Sequence, residues 1–361
     1  MRILIVIPTL RPGGAESTVL ALANSLSNLN QNDEIFVITI FHDEFSKSFI
    51  NHIDPRIKYL GLDLDISQKL KAVFKLFFLV KQLKPHVIHT HLTALYYSSL
   101  PSLLLGINHI HTVHTQPRVE FYGARKILFK VISAFTNKLQ LVSLSREHKE
   151  VLSSSFNNEV TIISNGARKI PSNYKSVNNN FVILARFDPV KQHDLLIKAF
   201  LKASFNHDVK LKIVGSIVPE YLDYFNKIQK LIDNENNIEM YTNVTSNSQL
   251  SEIFSKCQFI VLSSKFEGLP VSLLEGMSAG LIPVGIPTPG LKEFFLFNNL
   301  IHIAQEPSVH GLSLCITDCF KMTYEAIEKE SCASKNIFNN MYSSDVMAES
   351  YSRLYQKVCE L

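Results

Sequence analysis

Short apolar runs rich in Val, Ile, Leu and Phe alternate along this chain with segments of helical period, and that rhythm restricts the fold more than any other feature. In the first half, strands are expected at residues 3–7, 35–40, 87–89, 109–113 and 139–142. Helices are expected between them at 15–29, 69–83, 94–105 and 123–134. Strands that read as continuous apolar runs, each followed by a helix, predict a parallel sheet covered on both faces.

Around Ser164 the texture changes. Ser164-Asn165-Gly166-Ala167 is turn chemistry, and residues 171–180, PSNYKSVNNN, are polar and unpatterned. A second alternation follows, with strands at 181–185, 210–214, 238–241, 259–262 and 282–284 and helices at 194–201, 221–232 and 248–255. The expected organisation is a first doubly wound domain over 1–165, a linker over 166–180, a second over 181–342, and an amphipathic helix over 343–361. Two such domains joined by one linker make a deep cleft between their carboxyl-end faces, where a ligand held by both halves sits.

A length of 361 residues suits two domains, each with its own core. The chain holds 46% hydrophobic and 19% charged residues, as a globular enzyme does. No stretch reaches the roughly 18 consecutive apolar residues of a membrane-spanning helix. The opening MRILIVIPTL is short, β-branched and followed by a glycine loop, so it reads as a strand and not as a leader. Cys257, Cys315, Cys319, Cys332 and Cys359 are odd in number and irregular in spacing, which suits free thiols in a reducing, cytoplasmic compartment.

The net charge of +4 is uneven. Residues 1–165 hold 17 Lys and Arg against 12 Asp and Glu, leaving 19 against 20 for the rest. Lys69, Lys71, Lys75, Lys81 and Lys84 interleave with apolar residues in a segment with no acid from Ile66 to Pro85. Two readings stand: a basic helix resting on an anionic membrane, or a sheet-covering helix with a solvated lysine face. No feature points to nucleic acid.

The chemistry concentrates in three places. After the strand at 259–262, the loop Ser263–Gly268 leads into a helix with Pro270 in its first turn, and the stretch carries Glu267 and Glu275. A helix start favours oxygen-rich anions, and a carboxylate beside it can hold two vicinal hydroxyls. Just past the strand at 181–185 lie Arg186 and Lys191, a fork and a point charge able to converge on a diphosphate. After the first strand, Gly13 and Gly14 let backbone approach a ligand and open a helix. His89, His91, His111 and His114 cluster at strand ends without carboxylate partners for a metal.

Glu267, seven residues, then Glu275, with Gly268-Leu269-Pro270 after the first and Ser272-Leu273-Leu274 before the second, resembles the signature of retaining GT-B glycosyltransferases of family 4. Ala185-Arg186, a short spacer, and Lys191-Gln192 are similar to the family's Gly-Arg and Lys-Gly, with both glycines replaced. Gly13-Gly14-Ala15-Glu16 resembles the Gly-Gly-x-Glu after the family's first strand. Three further departures are Gly215-Ser216-Ile217-Val218-Pro219 in place of Gly-x-Gly-Pro, Gly276 where alanine is usual, and Pro289-Gly290 where Gly-Gly is usual. Glu293 fits the pattern.

The resemblance implies a GT-B fold, two Rossmann-like doubly wound domains facing across a deep cleft, with the terminal helix crossing back to the first. It implies a retaining transfer from a nucleotide diphosphate sugar, a UDP-sugar favoured over a GDP-sugar, without a metal. Glu267, Arg186, Lys191 and His114 are the expected catalytic residues, His111 being the fallback for His114. Gly13, Gly14, Arg186, Lys191, Gly268, Leu269, Pro270 and Glu275 are expected to bind the donor. The acceptor implied is a glycan, of the lipid-linked surface polysaccharide kind. A sugar-nucleotide epimerase on the same scaffold is the rival enzyme, and a catalytically silent sugar-nucleotide-binding partner protein the rival of another class. The only D-x-D, Asp63-Leu64-Asp65, reads as loop.

Overall fold

The computed structural model describes residues 1–11, 13–43, 50–135, 138–172, 179–203, 209–244 and 246–360. Pro12 of the glycine loop and residues 173–178 of the expected linker lie outside the described residues. The chain forms two compact units, Met1–Gly166 with Ser344–Leu361, and Ala167–Ser343.

In the first unit the elements run β1 (Arg2–Ile7), α1 (Gly14–Leu29), β2 (Glu34–Phe41), β3 (Lys58–Leu64), α2 (Lys69–Leu83), β4 (Val87–His91), α3 (Ala94–Leu105) and β5 (Asn108–Val113). A single helical turn, Pro117–Glu120, precedes α4 (Ala124–Phe135), β6 (Leu139–Ser143), α5 (Arg146–Ser155) and β7 (Val160–Ile162). The sheet is parallel throughout, in the order β3-β2-β1-β4-β5-β6-β7. Ile3, Ile5 and Ile7 of β1 face one core, and Leu4 and Val6 face another. That alternation of faces along one buried strand is why β1 reads as an unbroken apolar run.

The connections β3–α2–β4, β4–α3–β5 and β5–α4–β6 all travel one way across the sheet, whereas β1–α1–β2 travels the other. Right-handed crossovers therefore lay α2, α3 and α4 side by side on one face and α1 on the opposite one. On the α1 face, Met347, Ala348, Tyr351, Leu354 and Tyr355 of the terminal helix complete the core. Tyr355 Oη and His89 Nδ1 are 2.7 Å apart, Tyr351 Oη and Thr112 Oγ1 are 2.7 Å apart, and Ser25 donates to Asp345 at 2.7 Å.

The second unit runs β8 (Phe181–Leu184), α6 (His193–Lys202), β9 (Leu211–Val214), α7 (Leu222–Ile232), β10 (Ile238–Tyr241), α8 (Asn247–Phe254), β11 (Phe259–Leu262), α9 (Val271–Ala279) and β12 (Ile282–Gly285). It continues with α10 (Pro289–Phe297), α11 (Val309–Phe320) and α12 (Tyr324–Ile337), after which α13 (Ser344–Glu360) belongs to the first unit. Its five-stranded parallel sheet has the order β10-β9-β8-β11-β12. A reciprocal capping box, Ser246 with Gln249, starts α8, and Gly280 at φ 89° ends α9 in the left-handed region that favours glycine. Ala167 and Ile170 pack in this unit's core, so the boundary between the units falls at Gly166–Ala167.

Asp63 and Leu64 end strand β3, with Asp63 at φ 47°, so the D-x-D straddles a strand end and is not loop.

Candidate active site

In both sheets the strand order reverses direction beside the first strand of the unit, between β1 and β4 and between β8 and β11. Such a reversal parts the two following connections and leaves a crevice at the carboxyl ends of the strands. In the second unit the connection leaving β8 carries Arg186 and Lys191, and the connection leaving β11 carries Glu267. Topology alone therefore delivers both cations and the first glutamate to one place.

Local hydrogen bonds fix these two loops to each other. The Lys265 N–H donates to Val190 O at 2.8 Å, and the Ser263 hydroxyl donates to Lys191 O at 2.8 Å. Asp188 caps the turn Pro189–Lys191 by accepting from the Val190 N–H at 2.9 Å, and it also accepts from Arg186 Nη2 at 3.1 Å. Arg186 is thus held along its own loop with its side chain 46% exposed. Lys191 Nζ donates to Glu267 Oε1 at 2.6 Å, joining the loops through a charge-assisted bond. Glu267 keeps a second oxygen, and its side chain is only 10% exposed.

Glycines set how closely the surrounding backbone approaches. A Cβ added to Gly290 at the start of α10 would lie 2.4 Å from Glu267 O and 2.5 Å from Gly268 O. A Cβ on Gly215 would lie 1.9 Å from Ala185 O, just before Arg186. Neither position has room for a side chain, so both are packing requirements of the loops that carry the charged residues.

Glu275 sits on α9, buried, behind the loop. Burial pushes its pKa up, while the guanidinium of Arg168, donating Nε to Oε1 at 2.8 Å, pulls it down. Arg168 was not singled out from the sequence. Its signal was a cation directly after the Asn-Gly turn, legible only once the turn was known to touch α9. Leu269 is buried and Pro270 is the N-cap of α9, so the two shape the loop's exit into that helix.

In the first unit, Gly13 adopts extended backbone as the N-cap of α1, and Gly14 is its first residue. The histidines are welded into the end of the sheet. His89 bonds Tyr355 and Thr112, and His111 bonds Glu120 at 3.0 Å and Thr90. Both are fully buried. His114, half-buried just past β5, shares a hydrogen bond with His91 through Nε2 at 2.8 Å, leaving Nδ1 as its other ring nitrogen. Burial lowers His114 to about 4, so its ring is neutral at pH 7. Among the described residues, no group of three or more His, Cys, Asp or Glu is placed to hold a metal ion.

Two family models match the chain. That of glycosyl transferases group 1 covers residues 168–318, and that of glycosyltransferase family 4 covers residues 12–168. A glycosyltransferase of Haemophilus influenzae is 26% identical over 325 residues, 85% of this chain and 87% of that one. A glycosyltransferase of Methanocaldococcus jannaschii is 26% identical over 213 residues, a match that spans only 56% of either protein. Among solved structures, HepE of Anabaena in complex with UDP superposes with a TM-score of 0.80 over 99% of this chain and all of that one, at 16% identity.

Proposed function

The chain belongs to glycosyltransferase family 4, whose members are retaining enzymes of the GT-B fold, and on that premise we propose that it moves a sugar from a UDP-sugar to a glycan carried on a lipid. The observation that carries the reading is the pairing of Lys191 with Glu267 across the reversal of strand order, with Arg186 beside it. Binding of UDP, and of UDP-glucose, by HepE supports the choice of donor.

Retention of configuration requires either a carboxylate nucleophile or attack on the face from which the diphosphate departs. In the second route the departing diphosphate takes the acceptor's proton, and charge grows on its oxygens. Arg186 and Lys191 stabilise that charge, the largest single contribution to the rate. Glu267, with the backbone N–H groups of Gly268 and Leu269, orients the transferred sugar. Glu275 takes the ribose hydroxyls on the oxygen that Arg168 leaves open. Gly13 and Gly14 admit the donor closely, and neutral His114 offers Nδ1 to the sugar.

The acceptor is the lipid-linked intermediate of a surface polysaccharide. The enzyme works in the cytoplasm at the inner face of the cell membrane, which α2 contacts through its lysines. Among the described residues no helix is long and apolar enough to cross a membrane.

The test is thermal unfolding against a panel of nucleotide diphosphate sugars, run beside Glu275→Ala and Lys191→Ala. A donor at one hundred times its dissociation constant adds about 2.7 kcal/mol to the folded state. Stabilisation of the wild type by a UDP-sugar, lost in both variants, is the expected result. No response to any donor would overturn the reading, and donor binding without transfer to any lipid-linked glycan would favour the silent partner.

A further inference from the structure

Between Ile66 and Val119 the chain carries no carboxylate, and Glu120 is the only one before Glu147. Glu120 is itself tied to His111 and Thr115. This stretch supplies α2, α3 and α4, which lie side by side on one face of the first unit's sheet. Each buries one side and leaves large apolar side chains on the other. On α2, Ala72, Leu76 and Val80 are buried, whereas Leu70, Phe74 and Phe78 stand 78%, 64% and 64% exposed on consecutive turns. On α3, Leu100, Leu103 and Leu104 are exposed. On α4, Phe129 is the buried residue, and Ile127, Leu128, Val131 and Phe135 face outward.

We propose that the outer faces of α2, α3 and α4 form one docking surface for an anionic lipid bilayer. The inference rests on the membrane contact proposed for α2 and extends it to two further helices. Exposed apolar residues on three neighbouring helices form a patch of the kind that marks an interaction surface. Charge decides the occupant. Lys71 and Lys81 on α2, and Arg125, Lys126 and Lys130 on α4, are exposed among the apolar residues without an opposing carboxylate on any of the three helices. Lysine is depleted at protein interfaces, where its desolvation is unrewarded. At a bilayer its stem lies along the apolar layer while the ammonium reaches the headgroups. A surface of this breadth, with cations at both flanks, holds the first unit at a fixed orientation to the lipid, where one amphipathic helix could roll.

Co-sedimentation of the full chain with phosphatidylglycerol and with phosphatidylcholine vesicles tests this, using Leu70→Ser/Phe74→Ser on α2, and on α4 both Ile127→Ser/Val131→Ser and Lys126→Glu/Lys130→Glu. Each basic residue at an anionic surface contributes about fivefold to partitioning, so the α4 charge reversal is expected to weaken phosphatidylglycerol binding by at least about twentyfold. The α4 apolar pair is expected to weaken it about as much as the α2 pair. Far-UV circular dichroism and UDP-sugar binding should match the wild type, since none of these residues lies in the donor site. Vesicle binding lost in the α2 variant but retained in both α4 variants would overturn the three-helix surface and leave the single-helix contact standing. Equal binding to phosphatidylcholine, or self-association without vesicle binding, would overturn the lipid assignment while the donor-binding result still reports on the transferase reading.

Discussion

Arg168 and Glu275 are 107 positions apart in the chain and joined by one hydrogen bond, Nε to Oε1 at 2.8 Å. The arginine is close to half exposed and the glutamate almost fully buried, so the two contribute unequally. Arg168→Ala should cost about 1–3 kcal/mol because it leaves a buried carboxylate unpaired. The sign with pH follows from the raised pKa of Glu275. Removing the cation raises it further, so the loss is absent while Glu275 is protonated in both folded proteins and grows as pH rises through its raised pKa. Urea unfolding at pH 4 and pH 7.5 checks this; an equal loss at both would mean that Arg168 matters by packing alone.

Lys191→Ala and Glu267→Gln should both lower kcat/KM for the sugar donor by about 10²–10³, on the scale of removing one group aimed at developing charge. The double variant should lose far less than the product of the two, since the residues are bonded to each other. Steady-state kinetics on the four proteins provide the cycle.

Gly290→Ala should weaken donor binding as well as folding. Its methyl would meet the backbone oxygens of Glu267 and Gly268, so the loop that carries Glu267 must shift. Overpacking of this kind costs about 1–3 kcal/mol. Calorimetric titration of UDP beside a thermal melt separates the two effects.

Stability should fall steeply as pH drops from 6.5 to 4. Burial lowers His193 to about 4 and His109 to about 3, so in this window the unfolded chain binds protons that the folded chain refuses. Each such ring contributes up to about 1.4 kcal/mol per pH unit. His193→Phe, which keeps an aromatic ring stacked on Phe187, should flatten the slope in denaturant melts across this range.

The alternation of strand and helix was legible wherever an apolar run or a helical period stood out. Lys69–Leu83, Ala94–Leu105, Ile238–Tyr241 and Phe259–Leu262 occupy the expected residues. Strand β3 escaped notice because its sequence, KYLGLDL, lies at the sheet edge with mostly half-buried side chains and no continuous apolar run. Helix α5 buries only His148 and Leu152, too little for a visible period. Helix α10 opens on Pro289-Gly290, which reads as a turn, although proline suits a first helical turn and Gly290 answers a contact from a distant loop. Arg186, Lys191 and Glu267 stood out because they lie in loops that follow apolar strands, and Glu275 because it lies in the helix after one. Their pairings did not, since Arg168 meets Glu275, and Lys191 meets Glu267, only through folding.

The first unit closes its core with residues from the far end of the chain. Until Tyr351 and Tyr355 have left the ribosome, His89 and Thr112 lack those two hydroxyl partners, and the α1 side of the sheet lacks the helix that covers it. The portion synthesised first is therefore completed last. While the intervening residues 167–343 are being made, a nascent first unit exposes apolar surface that helpers of folding can recognise.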